Sequence, residues 1–288
     1  KKAGVTAQTG TSLQKVESLS ENGFRLEVRN EASVLHLQTK KLLLATGNDP
    51  TTREIVKSLG HSIEEPAPSL FTFNISDKRL EGLAGVSVEP VTVKMDSLTQ
   101  RGPLLITHWG VSGPAVLRLS AWGARILFEK KYQATLVVNW LGDTPFDKAL
   151  DVLQKHKAWP ENARKKVLSE PAFTQLPARL WKQLANFIGE KNWGDITKVE
   201  TRKLAEELTA GQFEIKGKGQ FKDEFVTCGG VRLDEVNFKT MQSRVVENLF
   251  FAGEVLDIDG ITGGFNFQSS WTTGWLAGSA LSSTDNSV

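Results

Sequence analysis

Cysteine is nearly absent from the 288-residue chain: Cys228 is the single thiol, alongside four histidines. One thiol excludes an intrachain disulfide framework, and with four scattered histidines it leaves no ligand set for a structural zinc site, so no metal is expected. The setting this implies is reducing and intracellular, cytoplasmic or organellar. No apolar run approaches the roughly 18–20 residues of a spanning helix, and no membrane partner is expected. An excess of either charge is also lacking, since 35 Lys and Arg against 33 Asp and Glu leave a formal +2. Such a balance neither requires nor excludes a polyanionic partner. There is no low-complexity tract and no internal repeat. The chain opens on Lys1-Lys2 with no initiator Met, so a targeting segment would lie outside this sequence.

Along the chain, 11–19, 24–29 and 34–38 alternate apolar and polar residues around the turn Glu21-Asn22-Gly23, which predicts a meander with one solvated face. Leu42-Leu43-Leu44-Ala45 is a continuous apolar run ending in Thr46-Gly47, as expected of a central buried strand whose end meets a ligand. Residues 51–59 read as a short amphipathic helix stopped by Gly60. From His61 to Gly142, strand-like pieces at 70–75, 86–95, 104–107 and 134–140 predict a barrel-like unit, with Ser112 as N-cap and Pro114 near the start of a helix. Residues 143–211 read as helical, with starts at Asp143-Thr144-Pro145, Trp159-Pro160, Leu176-Pro177 and Thr197, and with Leu180, Leu184, Phe187 and Ile188 along one face. Further strands are expected at 213–215 and 224–227.

The most informative stretch is 249–278, LFFAGEVLDIDGITGGFNFQSSWTTGWLAG. An apolar strand, 249–252, runs into Gly253-Glu254, an acidic turn with Asp257 and Asp259, then Thr262-Gly263-Gly264 and a helix from about Gln268 to Ser282. Glycines admit close approach of bare backbone, and a helix N-terminus presents unpaired N–H groups and partial positive charge to anionic oxygens. Glu254 is placed to accept hydrogen bonds from the vicinal hydroxyls of a ribityl or ribose group. If the ring is a flavin, the helix N-terminus stabilises the negative charge that reduction creates on it. The competing reading is a tight strand-to-helix turn in which Trp271, Gly274, Trp275 and Gly278 pack the helix against a sheet. Packing of that kind is the expected account of the Trp and Gly residues, but it leaves Glu254, Asp257 and Asp259 unexplained.

Gly229-Gly230-Val231, Lys239-Thr240-Met241-Gln242-Ser243, NLFFAGEVLDIDG, TGGFNFQ and THWGVSGPA at 107–115 together resemble the HI0933-like, aminoacetone-oxidase-like flavoproteins, NAD(P)/FAD-dependent oxidoreductases. The resemblance spans essentially the whole chain. It implies an α/β protein in which a Rossmann-like FAD/NAD(P)-binding domain, incomplete at its N-terminus, is interrupted by a β-barrel-like domain and a small helical domain. The implied parts are 1–60 and 229–288 for the FAD-binding domain, 61–142 and 212–228 for the barrel-like domain, and 143–211 for the helical one. The cofactor implied is FAD, with NAD(P)H as electron donor. Its contacts map onto Ala45, Thr46 and Gly47 at one strand end, Gly253, Glu254 and Asp257 at the other, and Thr262, Gly263, Gly264, Phe265, Asn266, Phe267 and Gln268 in the ring-facing loop. Asn48 stands where the family usually has a second Gly, and Gln242 where Glu is common.

No segment carries the strand, G-x-G-x-x-G loop and acidic residue that hold the FAD pyrophosphate and adenosine; Gly217-Lys218-Gly219 runs into Gln220, Phe221 and Lys222. The expectation is that a first βαβ unit belongs to a longer protein, that this chain alone retains FAD poorly, and that the missing segment is a partner in the complete site.

Two side chains are candidates for catalysis. His108 precedes a Gly-rich turn and has the chemistry of a proton carrier, against the plainer reading of a hydrogen-bonded structural histidine. Cys228 would be a proton donor to an unsaturated substrate, against the plainer reading of a small buried hydrophobe. Gly110-Val111-Ser112-Gly113-Pro114 is not a nucleophile elbow, because Pro114 occupies the fifth position.

In 143–211, Lys155, His156, Lys157, Arg164, Lys165, Lys166, Arg179, Lys182, Lys191, Lys198, Arg202 and Lys203 are interleaved with Trp159, Trp181 and Trp193. That mixture suits RNA phosphates and unpaired bases, or else a solvated face over a tryptophan-stapled bundle. The family resemblance includes members linked to reduction of uridine to dihydrouridine in ribosomal RNA. Two classes of function follow: an FAD-dependent oxidoreductase acting on an unidentified substrate, small molecule or RNA base, or a non-catalytic flavin-binding module.

Overall fold

The computed structural model describes residues 4–20, 23–219 and 226–282. It separates into two compact units, Lys1–Ala67 with Val226–Val288, and Pro68–Phe225.

In the first unit, Ser12–Leu19, Gly23–Arg29 and Val34–Thr39 form an antiparallel three-stranded sheet. The meander is as expected, although Glu21 and Asn22 of its first turn lie outside the described residues. A four-stranded sheet orders Val236–Asn237, Gln242–Ser243, Leu249–Phe251 and Leu42–Leu44, the last two parallel. The apolar run at 42–44 is therefore an edge strand among the described residues rather than a central one, and Leu42 and Leu43 are only half-buried. Ile63–Ser69 and Val226–Val231, where the chain passes between units, make a two-stranded sheet. Of the strand expected at 224–227, Glu224 lies outside the described residues.

Helix Pro50–Ser58 starts one residue before the expected position because Asp49 caps it: its carboxylate accepts from the Thr52 N–H at 2.7 Å. Such a cap contributes about 1 kcal/mol. The face it buries, Thr52, Ile55 and Val56, joins a core with Phe24, Leu44, Val231, Met241, Phe251 and Leu256.

The second unit is built on a seven-stranded antiparallel sheet in the order Gly211–Ile215, Ala134–Asn139, Ser87–Met95, Leu98–Ile106, Gly110–Ser112, Phe73–Asn74, Gly217–Lys218. The sheet does not close into a barrel. Its two edge strands are consecutive in the chain, separated by Lys216, and pair outward to different neighbours. The strand expected at 70–75 shrinks to Phe73–Asn74, because Leu70 takes a positive φ of 58° and interrupts it.

Ser112 does not cap the following helix. Gly113 occupies that position at φ 95°, and the Ser112 hydroxyl is engaged with Thr72 Oγ1 at 3.0 Å. Pro114 is the first residue of helix Pro114–Trp122, as its fixed φ favours.

Helices Phe146–Ala158, Ala178–Leu184 and Lys198–Ala210 pack with the sheet into one core. Thr197 begins the last with a capping box to Glu200. Trp159-Pro160 starts no helix; turns follow, with the Asn162 N–H donating to the Trp159 carbonyl. The apolar face read through 180–188 breaks after Leu184 into the 3-10 turn Asn186–Ile188, which leaves Phe187 exposed. Trp181 and Trp193 are fully buried and donate their indole N–H groups to the carbonyls of Val167 (2.7 Å) and Glu170 (3.0 Å). They staple this part of the core.

Candidate functional site

Parallel pairing of Leu42–Leu44 with Leu249–Phe251 brings two strand ends to one edge. The Ala252 N–H donates to the Leu44 carbonyl at 3.0 Å, so Ala45-Thr46-Gly47 and Gly253-Glu254 leave the sheet side by side. A parallel pair aims both C-terminal ends at the same point, which is where ligands of open α/β sheets bind. The Gly253 N–H is held by Thr273 Oγ1 of helix Phe265–Ser282 at 2.9 Å, seating the turn against that helix.

Two glycines, one at the first strand end and one just before the helix, have bare backbone. Gly47 and Gly264 take φ values of 63° and 84°, and a Cβ at either would meet nothing within 4 Å. Neither glycine is demanded by packing, so the space over them is open to a ligand. Asn48 needs no left-handed conformation; its side chain and carbonyl receive the Arg53 guanidinium, so a residue other than Gly is accommodated there. Glu254 is half-buried, and its carboxylate has no hydrogen-bond or ion-pair partner among the described residues. A partly desolvated, unpaired carboxylate is unfavourable unless something else donates to it.

The helix adds a second feature. Its first intrahelical bond runs from the Gln268 N–H to the Gly264 carbonyl at 2.9 Å, so the preceding N–H groups have no intrahelical acceptor. Over 18 residues only Thr273 and Ala277 are buried. Trp271 and Trp275 are 69% and 76% exposed, and a Cβ at Gly274 or Gly278 meets nothing within 4 Å. Tight helix packing therefore does not explain these four residues.

Other expected contact residues are engaged by the fold. One Asp257 carboxylate oxygen accepts from the Gly229 N–H at 2.9 Å. Asn266 clasps Gly260, accepting from its N–H at 2.6 Å and donating to its carbonyl at 3.0 Å, which fixes the loop that carries the exposed Thr262 and Gly263. Phe265 lies over Gly260 and Gly263. Phe267 stacks on Trp271, with ring centroids 6.2 Å apart, and Gln268 reaches Thr272. Cys228 is buried at 5% exposure inside its strand. His108 lies in the second unit, exposed beside a cavity, with no hydrogen-bond partner among the described residues.

The Gly229–Asp257 and Gly253–Thr273 links, which brace the site from beneath, were not legible in the sequence. The paired Gly229-Gly230 was the one signal for the first.

The basic insert is partly neutralised. Lys155, Lys165, Lys166, Lys191 and Arg202 pair with Asp151, Glu170, Glu190, Glu200 and Glu206, while Lys157 and Arg179 donate to carbonyls. His156 packs edge-on to Trp193, and burial pushes its pKa down, so it leaves the set of cations. Lys203 lies over the Phe187 ring at 4.5 Å, which leaves Trp159, 60% exposed, with Arg164, Lys182 and Lys198 making no hydrogen bond or close ion pair among the described residues. Among those residues no helix is long and apolar enough to cross a membrane, and no His/Cys/Asp/Glu cluster could hold a metal.

The fold and site define a mixed α/β protein with several sheets and a glycine-containing strand-end turn seated against a long helix. Within that class, the chain belongs to the HI0933-like family: the profile of the HI0933-like protein barrel and H2TH domain matches residues 67–226. It is 28% identical over 97% of its length to the ribosomal RNA dihydrouridine synthase of Escherichia coli, covering 69% of that protein. To the ribosomal RNA dihydrouridine synthase of Haemophilus influenzae it is 27% identical, covering 94% of this chain and 67% of that one. A 3-dehydro-bile acid delta(4,6)-reductase of Clostridium scindens is 27% identical over 81% of this chain and 58% of its own. The solved structure of BexE aligns over 96% of this chain and 40% of that one, at 13% identity and a TM-score of 0.31, too distant to carry an argument.

Proposed function

We propose that the protein is an FAD-dependent oxidoreductase, recharged by NAD(P)H, that reduces a carbon–carbon double bond conjugated to a carbonyl. The observation that carries this is the Glu254 carboxylate, unpartnered among the described residues, at a turn seated on helix Phe265–Ser282, with open backbone at Gly47 on the neighbouring strand end and at Gly264 before the helix. The donor set fits the group. Glu254 would accept from ribityl hydroxyls, the helix N-terminus would face the pyrimidine edge of the ring, and the Gly47 strand end would line the cofactor. When bound, a flavin supplies hydride transfer. The chain's own part is to hold the ring, stabilise the charge that reduction places on it through the helix N-terminus, and keep Asp257 and Asn266 bracing the loops.

Ala45, Thr46, Thr262, Phe265, Phe267 and Gln268 belong to the same proposed lining, with Cys228 and His108 as candidate acids. Division of the second unit into a sheet part and the helical part 143–211, with the first unit as FAD domain, is part of this reading, as is a cytoplasmic or organellar setting.

The substrate class comes from the relatives. Dihydrouridine is uridine saturated across C5–C6, next to the C4 carbonyl, and a 3-dehydro-delta(4,6) steroid has double bonds in conjugation with its 3-oxo group. Either is reduced by adding hydride to the carbon remote from the carbonyl and a proton to the nearer one. RNA is the second reading of the partner, favoured by Trp159 with Arg164, Lys182 and Lys198. Anaerobic titration with NAD(P)H tests the enzyme reading: bleaching of bound flavin supports it, and a flavin that binds but resists reduction supports the non-catalytic module instead.

A further inference from the structure

Within the second unit, the strands Ser87–Met95, Leu98–Ile106 and Ala134–Asn139 bury Val91, Val93, Met95, Leu136 and Val138 on one face of their sheet. Side chains alternate along a strand, and residues directly opposite one another on antiparallel strands share a face. The register sets Lys94 against Val137 on one side and Thr99 on the other, and Thr92 against Asn139 and Arg101. These six side chains therefore form one patch on the opposite face, and all but Arg101 line a cavity of about 540 Å³. That size is typical of small-molecule sites.

The rim is fixed by the fold. Asn139 holds the turn that follows its strand, accepting from the Leu141 N–H (3.0 Å) and donating to the Thr144 carbonyl (2.9 Å). Gly142 in that turn takes a φ of 70° and sits so close to Pro90 that a Cβ would lie 3.1 Å from Pro90 Cγ. Phe146 comes next, with the Arg202 guanidinium over its ring at 4.8 Å. Across the cavity, the end of helix Lys198–Ala210 is tied to the sheet by the Trp140 N–H, which donates to the Leu208 carbonyl at 2.9 Å.

Polar groups in the cavity are spent unevenly. The Asp143 carboxylate is satisfied twice, by the Thr92 hydroxyl at 3.0 Å and the Arg101 guanidinium at 2.7 Å. The hydroxyls of Thr144 and Thr209 donate to the carbonyls of Leu141 and Ala205. By contrast, the Lys94 ammonium and the Thr99 hydroxyl have no hydrogen-bond or ion-pair partner among the described residues, although they stand opposite each other on paired strands. Val137, Pro145 and Phe146 supply apolar surface.

We propose that this cavity binds a monocarboxylate carried on an apolar chain, its carboxylate received by the Lys94 ammonium and the Thr99 hydroxyl and its chain laid along Val137 and Phe146. The site goes beyond the reductase reading and does not depend on it, because every group named lies in the second unit. One free cation and one hydroxyl match the single charge and two oxygens of a carboxylate. Lys94 is the sole cation among the described lining residues, so a phosphate dianion would be half-compensated. Asp143 does not repel the ligand so long as Arg101 neutralises it.

The test follows the backbone amide resonances of the chain during titration with octanoate, octan-1-ol and octyl phosphate, with thermal stability measured on every variant. Octanoate should shift the amides of Lys94, Thr99, Val137 and Asn139 saturably and bind there about tenfold more tightly than the alcohol, the effect of one charge-assisted hydrogen bond. Each methylene removed from the chain should weaken binding by up to about fourfold. Lys94→Gln should weaken octanoate about tenfold and erase its advantage over the alcohol. Arg101→Gln, which frees the Asp143 carboxylate, should also weaken it, and adding Asp143→Asn should restore it. The assignment is overturned if those four amides do not respond, if octanoate and octan-1-ol bind alike, if octyl phosphate binds more tightly than octanoate, or if Lys94→Gln binds octanoate as the wild type does. FAD binding enters none of these measurements, so failure of the flavin reading leaves them unchanged.

Discussion

Glu254 and Asp257 stand three residues apart in the same acidic turn, and the structure assigns them opposite burdens. Glu254 has no partner among the described residues, whereas Asp257 holds the Gly229 N–H at 2.9 Å. Hydrogen bonds from ligand hydroxyls to a carboxylate contribute about 1.5–3 kcal/mol, so Glu254→Ala should weaken FAD binding by about 10- to 150-fold. Glu254→Gln, which keeps a neutral acceptor, should lose less. Because nothing among the described residues donates to Glu254, its removal should leave the unliganded protein's stability within about 0.5 kcal/mol. Asp257→Ala strands the Gly229 N–H and should cost about 1–3 kcal/mol of that stability, whatever it does to affinity. Flavin fluorescence titration and urea unfolding of the three variants measure both quantities. The reasoning is refuted if Glu254→Ala leaves FAD affinity unchanged, or if it destabilises the unliganded chain as much as Asp257→Ala does.

Glycine substitutions separate packing from ligand space. At Gly230, φ 143°, a Cβ would lie 2.5 Å from the Val255 carbonyl oxygen, so Gly230→Ala should lose roughly 2–4 kcal/mol in urea unfolding. Gly274→Ala, in an open helical position, should gain about 0.5–1 kcal/mol. His61, bonded through Nε2 to Ser243 Oγ at 2.7 Å, has its pKa pushed down by burial, with Glu235 opposing in part. The unfolded chain therefore takes up the proton first, and this group's stabilisation is complete above its ordinary value of 6.5 and declines as pH falls below it. Denaturant midpoints should show that decline in the wild type and a flatter one in His61→Gln. Trp193→Ala should cost about 3–5 kcal/mol as a cavity mutation. Trp159→Ala should leave stability unchanged and, if RNA is the partner, weaken RNA binding by up to about tenfold in filter-binding assays at fixed salt.

Local chemistry made much of this molecule legible. Thr197 capped as predicted because the capping box is written within four residues, and Pro114 opened its helix because its φ is preset. The strand–turn–helix of 249–282 was visible because a buried strand, Gly253 and a long helix follow one another directly. Long-range pairing was not visible. Nothing near Leu42 shows that it pairs on one side alone, and nothing near Lys216 shows that the two edges of a seven-stranded sheet meet there without pairing. Ser112 was misread as a cap because a hydroxyl before Pro mimics one, whereas Thr72, 40 residues earlier, takes that hydroxyl. The twelve basic residues of the insert read as one patch until acidic partners were brought alongside five of them, some from helix-distant positions such as Glu190 for Lys166. Lys94 passed unnoticed because its cavity is made by strands and a turn that only folding brings together.

The claim that the strand ends and the helix head cup a flavin is tested most directly by following the backbone amide resonances of the chain while FAD is added, which detects weak as well as tight binding. The account predicts saturable shifts at Gly47, Gly253, Glu254, Gly263 and Gly264, absent with riboflavin-free adenosine diphosphate. Amides that do not respond there, or that respond only at other positions, would contradict it.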